Sequence, residues 1–126
     1  MKNKKNILVV AREPEWQTFV VHALRAAGYA VYLAVDTSST LRAVAEFEID
    51  LIIVDAVLAE LLKTLAWQSS RNRMLVVTAT PSVAEAIWAY RYGAVDYISK
   101  AFDANSLLDA VATALQKRPV QQRLLV

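Results

Sequence analysis

Three residues with different side-chain chemistry each follow a short apolar run. Asp55 ends the stretch DLIIVD, Thr78 ends MLVVT, and Lys100 ends VDYISK. A carboxylate can attack phosphorus and form an acyl phosphate, an ammonium can neutralise charge on phosphoryl oxygens, and a hydroxyl can donate a hydrogen bond to one of them. If the three side chains meet, the sequence predicts phosphoryl transfer to Asp55.

The elements that must position these residues are short apolar runs that alternate with helical stretches. The apolar runs predict five strands, at 7–10, 29–34, 51–54, 74–77 and 95–99. Helical spacing and terminal signals predict five helices, at 14–28, 36–47, 58–68, 81–93 and 103–117. We expect the second of these helices to be capped within 36–39, and the last by Asp103 or Asn105.

Unbroken Val, Ile and Leu runs separated by helices are typical of a parallel sheet covered by helices on both faces. Right-handed crossovers place the carboxyl ends of all the strands on one edge, where ligands and chemistry gather in such sheets. We therefore expect a (βα)5 fold of the α/β class in which Asp55, Thr78 and Lys100 converge on that edge.

Composition excludes several other classes of protein. The chain has 126 residues, 56% of them hydrophobic, which predicts one folded domain over 1–126, with its core at about 5–118 and 119–126 as a tail or linker stub. It has no cysteine and one histidine, which disfavours thiol chemistry and a zinc site. No apolar run approaches the ~18 residues of a membrane span, so we expect a cytoplasmic protein. Net charge is +2. The sequence has no basic stripe along a helix, so we do not expect nucleic-acid binding.

Three segments in order carry a family resemblance: LIIVDAVL around Asp55, VVTAT around Thr78, and GAVDYISKAF around Tyr97 and Lys100. With them the chain resembles a response-regulator receiver domain of bacterial two-component signalling. The resemblance implies a flavodoxin-like, three-layer (βα)5 sandwich with strand order 2-1-3-4-5. It implies a phosphoacceptor at Asp55 and a phosphate-binding lysine at Lys100. It also implies that Thr78 and Tyr97 act as switch residues that reorient together on activation.

The chain departs from the family pattern where a metal ion would be held. Receivers usually carry two adjacent acids after the first strand, and here the matching positions are Ala11 and Arg12. Only Glu13 and Asp55 remain as weak candidate ligands, and a cation at Arg12 would repel Mg²⁺, which prefers about six oxygens. We expect no cofactor, and Mg²⁺ to bind weakly at best.

Two further departures concern the backbone near the site. The proline that normally follows the lysine is Ala101, which puts the usual cis turn in doubt. Twenty-three positions separate Asp55 from Thr78, several fewer than in ordinary members, so the third helix or its leading loop is expected to be short.

Arg12 gives rise to a specific hypothesis. Its guanidinium could pair with Asp55 and supply positive charge where the metal would have been, so that Arg12 and Lys100 together hold Asp55 in a pseudo-receiver. Arg12 could instead point to solvent. Asp55 could be a turn residue, Thr78 could cap the next turn, and Tyr97 could be a packing aromatic.

The helix over 82–92 provides a candidate partner surface. If Ile87 and Tyr90 face the sheet, Trp88 should point outward and anchor an interface together with Tyr92. In the family, the face of helix four, strand five and helix five is the usual docking surface, so a homodimer through it is possible. The alternative is that Trp88 lies flat over a neighbouring helix.

These observations lead to a functional expectation with one principal alternative. We expect a receiver domain in a phosphorelay, partnered by a histidine kinase or phosphotransfer protein, with impaired or atypical Mg²⁺-dependent phosphorylation of Asp55. The alternative is a phosphorylation-independent pseudo-receiver that acts as a protein–protein interaction module. We do not expect an enzyme, and a flavodoxin-like cofactor binder is disfavoured because no Gly-rich phosphate loop follows the first strand.

Overall fold

The computed structural model describes residues 4–68 and 72–118. Its five strands are Asn6–Val10 (β1), Ala30–Ala34 (β2), Leu51–Asp55 (β3), Arg73–Thr78 (β4) and Ala94–Ser99 (β5). Its five α-helices are Pro14–Ala26 (α1), Thr37–Glu46 (α2), Ala59–Gln68 (α3), Val83–Arg91 (α4) and Ala104–Gln116 (α5). The predicted alternation of strands and helices is confirmed, whereas the predicted tail at 119–126 lies outside the described residues.

All strands pair in parallel in one sheet of order β2-β1-β3-β4-β5, which confirms the predicted flavodoxin-like topology. The register sets Asp55 opposite Val77 at the end of β3, and Thr78 opposite Ser99 at the end of β4. The carboxyl ends of β3, β4 and β5 therefore lie side by side. Thr78 is one residue beyond the position that faces Asp55.

The central strands β1 and β3 alternate between two buried faces, as expected for a sheet covered on both sides. One face packs against α1 and α5 in a cluster that includes Ile7, Val9, Leu51, Ile53, Leu24, Leu107 and Val111. The other packs against α3 and α4 in a cluster that includes Leu8, Val10, Ile52, Val54, Leu61, Leu65 and Ala89. The helices packed on the two faces of the sheet make the three-layer sandwich.

Local sequence signals begin and end the helices. Asp36 caps α2 in a capping box with Ser39, whose backbone N–H donates to Asp36 Oδ1 over 2.8 Å. Asp103 caps α5 in the same way through the backbone N–H of Ser106. Both capping predictions are confirmed, with Asp103 rather than Asn105 at the second site.

The connection between β3 and α3 is short, as the spacing of Asp55 and Thr78 predicts. A single 3₁₀ turn, Ala56–Leu58, follows β3 directly and continues into α3. No loop therefore separates Asp55 from helical backbone. Every peptide bond of the described residues is trans, including the bond between Lys100 and Ala101.

No helix in the described segments combines the length and the apolar character needed to cross a bilayer.

The orientation predicted for α4 is wrong. Ile87 and Tyr90 are 55% and 47% exposed, whereas Trp88 is half-buried and packs against the cluster on the α3 side of the sheet. Its ring meets Tyr92 edge to face, with 5.4 Å between centroids. The reason is that the fully buried Ala89 is the residue of α4 nearest the sheet, and its small side chain leaves room for the neighbouring Trp88 to pack against the same cluster.

We expect Trp88→Asp to lower the free energy of unfolding by about 2–4 kcal/mol, because it places a carboxylate in a half-buried apolar cluster. Ile87→Asp, one position away on the exposed face of α4, is the matched control and should cost less than about 1 kcal/mol. Urea unfolding followed by circular dichroism measures both. Equal costs for the two variants would contradict this placement of α4.

Candidate functional site

Asp55 is the last residue of β3 and is only 3% exposed. Its Oδ1 accepts a hydrogen bond of 3.1 Å from the backbone N–H of Val57, and its Oδ2 accepts from the Lys100 ammonium. A buried carboxylate that is ionised must be paired and hydrogen-bonded. Both of its oxygens have a donor here, which makes Asp55 more than a turn residue.

Lys100 follows β5 and is attached to the site at both ends. Its backbone N–H donates to the Thr78 carbonyl over 2.7 Å. Its ammonium pairs with Asp55 and with Glu13 Oε1, the latter at 3.2 Å. Nζ also lies 4.8 Å from the centroid of the Trp16 ring. The site therefore contains an ammonium group that contacts two carboxylates and an aromatic ring.

The charge state of Lys100 follows from this environment. Its side chain is 13% exposed, and burial alone would lower its pKa. The hydrogen bonds and negative charges of Asp55 and Glu13 outweigh that effect, so the pKa of Lys100 lies above its ordinary value of 10.5. Lys100 is therefore positively charged at neutral pH.

Thr78 ends β4 between these two residues and is 3% exposed. Its Oγ1 accepts a hydrogen bond of 3.1 Å from the backbone N–H of Thr80, so the hydroxyl does stabilise the turn that follows the strand. Since its carbonyl also binds Lys100, Thr78 is joined directly to the residue that pairs with Asp55. The predicted convergence of Asp55, Thr78 and Lys100 is present in the structure, and their roles in phosphoryl transfer remain predictions.

The hypothesis that Arg12 pairs with Asp55 is wrong. The exposed Arg12 side chain donates through Nε to the carbonyl of Val35, just after β2, over 2.8 Å. Within residues 4–68 and 72–118, the ion pairs of Asp55 involve Lys100 alone. The carbonyl just after edge strand β2 lies within reach of the guanidinium, and the carboxylate of Asp55 is already paired with Lys100.

The residue before Arg12 is Ala11, whose methyl side chain lies in the core. Ala11 is fully buried, and its backbone N–H donates to the Ala34 carbonyl over 3.1 Å. Neither position of the usual acidic pair therefore supplies an oxygen ligand from its side chain.

The arrangement does not fit a divalent metal ion. No group of three or more His, Cys, Asp or Glu side chains could hold a metal in the described part of the chain. The two candidate ligands, Glu13 and Asp55, both bind the same ammonium. Mg²⁺ prefers several oxygens in near-octahedral geometry, and it would have to displace Lys100 from both acids.

Tyr97, the predicted switch aromatic, is connected to the first turn of α4. Its hydroxyl donates to Glu85 Oε1 over 2.5 Å and accepts from the Ser82 backbone N–H over 3.2 Å. Burial, and then the hydrogen bond to Glu85, raise the pKa of Tyr97. The ring packs against the cluster on the α3 side of the sheet. Its role as a moving switch stays a prediction.

Two residues of the site were not found from the sequence. Glu85 holds the hydroxyl of Tyr97, and Trp16 places its ring beside Lys100. The only signal for Trp16 was its helical spacing from Val20, which predicts a core position. Glu85 and Trp16 reach the site through contacts with Tyr97 in β5 and with Lys100, the residue after it. Such contacts join different elements, so local sequence patterns cannot predict them.

A family model and several curated proteins are similar in sequence to this chain. The family model of the response regulator receiver domain matches residues 7–112. Transcriptional regulatory protein ZraR of Salmonella typhimurium is 32% identical over 120 residues, which are 91% of this chain and 27% of ZraR. Regulatory protein AtoC of Escherichia coli is 27% identical over 123 residues, which are 94% of this chain and 27% of AtoC. The chain thus spans about a quarter of the length of these relatives.

Solved structures give the same result at the level of the fold. A response regulator from Thermotoga maritima has a TM-score of 0.84 at 24% identity, with 91% of this chain and 100% of that chain covered. NtrX from Brucella abortus has a TM-score of 0.83 at 26% identity, with 90% of this chain and 27% of that chain covered. This chain belongs to the response regulator receiver domain family of two-component signalling.

Proposed function

We propose that this receiver domain works in a phosphorelay with Asp55 as phosphoacceptor, and that its Mg²⁺-dependent phosphorylation is impaired. The observation that supports the impairment is that both available carboxylates, Asp55 and Glu13, bind Lys100. A carboxylate oxygen of Asp55 attacks the phosphorus of the donor and forms the O–P bond of an acyl phosphate. The bond from phosphorus to the donor breaks, and its electron pair leaves with the donor group.

The charges around Asp55 are the reason that we expect this transfer to be slow. Asp55, Glu13 and Lys100 together carry a net charge of one negative unit, and the phosphoryl group brings more negative charge. A metal ion normally neutralises that charge, and Lys100 is the single cation bound to Asp55 in the described residues. Lys100 can turn from Glu13 toward a phosphoryl oxygen, because Glu13 is its more exposed partner, with 61% of its side chain accessible.

A second candidate function is a phosphorylation-independent interaction module. The buried state of Asp55, with a donor on each oxygen, favours it, because a carboxylate paired with Lys100 is a poorer nucleophile. In that case the Lys100 ion pair fixes a single conformation of the edge formed by β3, β4 and β5, and partners bind this conformation permanently.

The partners and the setting are part of the proposal. A histidine kinase or phosphotransfer protein is the proposed phosphodonor, in the cytoplasm, and the domain acts as a signalling module rather than an enzyme. A homodimer through α4, β5 and α5 would use the exposed Ile87 and Tyr90, with Trp88 and Tyr92 supporting them from beneath. ZraR and AtoC are named as regulators, which supports a place for this domain in a regulatory protein.

The metal hypothesis is tested with Arg12→Asp, which adds a carboxylate and removes a positive charge. We expect its affinity for Mg²⁺, measured by isothermal titration calorimetry, to exceed that of the wild type by about tenfold. We expect acetyl phosphate to label the wild type slowly, with little change on adding Mg²⁺, and to label Arg12→Asp faster when Mg²⁺ is present.

Arg12→Ala is the matched control, because it removes the charge and the bond to Val35 without adding a ligand. Tight Mg²⁺ binding by the wild type, or rapid labelling that depends on Mg²⁺, would contradict the proposed impairment. Slow labelling of the wild type that Asp55→Asn abolishes identifies Asp55 as the phosphoacceptor. Failure of every variant to be labelled would favour the interaction module.

A second prediction concerns Glu13→Gln, which removes one negative charge from Lys100. The pKa of Lys100, followed through its Cε chemical shift, should fall, because the hydrogen bond and negative charge of Glu13 help to hold it above its ordinary value. Because the folded pKa lies above 10.5, pairing stabilises the fold below that pH and is lost as the pH rises through the folded pKa. The variant should therefore lose stability at a lower alkaline pH than the wild type.

Glu15→Gln is the control for this experiment. Glu15 lies in the same first turn of α1, and among the described ion pairs it has none with Lys100. An equal fall of the Lys100 pKa in both variants would show that the Glu13 contact is not specific.

A further inference from the structure

The ring of Trp16 occupies one side of the Lys100 ammonium. Trp16 lies in the first turn of α1, and Nζ stands 4.8 Å from its ring centroid. That distance is within the range in which a cation is attracted to the face of an aromatic ring, and the attraction grows when the cation is shielded from water. The side chain of Lys100 is 13% exposed, so such shielding is present.

The polar atom of Trp16 indicates that the ring face is what this position uses. Trp16 is 8% exposed, and its indole Nε1 is buried without a hydrogen-bond partner among the described residues. Burying an unpaired donor costs stability, and Leu or Phe would fill apolar space without that cost. Tryptophan has the face that binds cations most strongly, and this advantage offsets the unpaired N–H.

The three partners of the ammonium differ in how freely they can move. Trp16 is packed in the cluster between the sheet and the helices α1 and α5, and Asp55 is held at the end of β3. Glu13 is the exposed partner, beside a cleft of about 330 Å³ that Trp16 and Lys100 also line. Glu13, the most exposed of the three partners, is therefore the one that an incoming group can displace most easily.

We propose that Trp16 is a positioning residue for Lys100, whose ring face holds the ammonium against Asp55 while Glu13 is exchanged for a phosphoryl oxygen. The exchange rests on the proposed function, whereas the positioning of the ammonium does not. The competing explanation is that Trp16 merely fills the core, in which case an aliphatic residue of similar volume would leave Lys100 unchanged.

Two variants separate these explanations. Trp16→Phe keeps an aromatic face and removes the unpaired N–H, and Trp16→Leu keeps apolar volume but has no face. We expect the pKa of Lys100, measured by NMR through its Cε shift, to fall by about half a unit to one unit in Trp16→Leu and by clearly less in Trp16→Phe. Equal values in the wild type and in a folded Trp16→Leu would overturn the proposal.

A measurement on the wild type alone keeps the proposal testable if Trp16→Leu does not fold. Protons above an aromatic face are shifted upfield, so the Cε protons of Lys100 should resonate upfield of those of the other lysines. A resonance position in the range of the other lysines would overturn the proposal.

Labelling by acetyl phosphate then tests the functional step. We expect Trp16→Leu to be labelled several-fold more slowly than Trp16→Phe, and equal rates would overturn the role of Trp16 in the exchange. If no form of the protein is labelled, the proposed function fails, and the NMR measurements still decide whether Trp16 positions Lys100.

Discussion

The ion pair between Lys100 and Asp55 is the interaction on which the edge of the sheet depends. It connects the end of β5 with the end of β3 across β4, because the backbone of Lys100 is bonded to Thr78 at the same point. Asp55 is almost completely buried and Lys100 largely so. Removing one partner of such a pair leaves a buried charge without compensation, which is strongly destabilising. The pair therefore constrains the conformation of the site and the chemistry it can perform.

The ion pair also bears on the main departure from the family pattern, which is the arginine at position 12. Arg12, where an acid is usual, bonds to the Val35 carbonyl, and Arg25 at the other end of α1 bonds to the Val31 carbonyl over 3.2 Å. Both carbonyls belong to edge strand β2 or the residue just after it, so the two arginines occupy acceptors that an open edge would offer to another chain. Arg12 thus stabilises the sheet edge, and the positive charge at Asp55 comes from Lys100.

Local patterns in the sequence were sufficient for the (βα)5 architecture and for the meeting of Asp55, Thr78 and Lys100, whereas the strand order 2-1-3-4-5 was predicted from the family resemblance. Unbroken apolar runs between helices imply a parallel sheet, and in a parallel sheet the residues that follow its strands share one edge. Local patterns did not predict the direction of a side chain where that direction depends on residues far away in the sequence. The sequence offered Arg12 a carboxylate or solvent, and in the structure it binds the Val35 carbonyl while Lys100 pairs with Asp55. Trp88 faces the sheet because the small Ala89 sets the rotation of α4, a feature that apolar periodicity alone did not resolve.

The central claim is that Lys100 and Asp55 form an energetically coupled pair, and a double-mutant cycle tests it most directly. Unfolding free energies are measured for the wild type, Asp55→Asn, Lys100→Met and the double variant. We predict a coupling energy of about 1–3 kcal/mol, because each single variant leaves a buried partner unpaired and the double variant does not. Single effects that add within about 0.3 kcal/mol would contradict the claim.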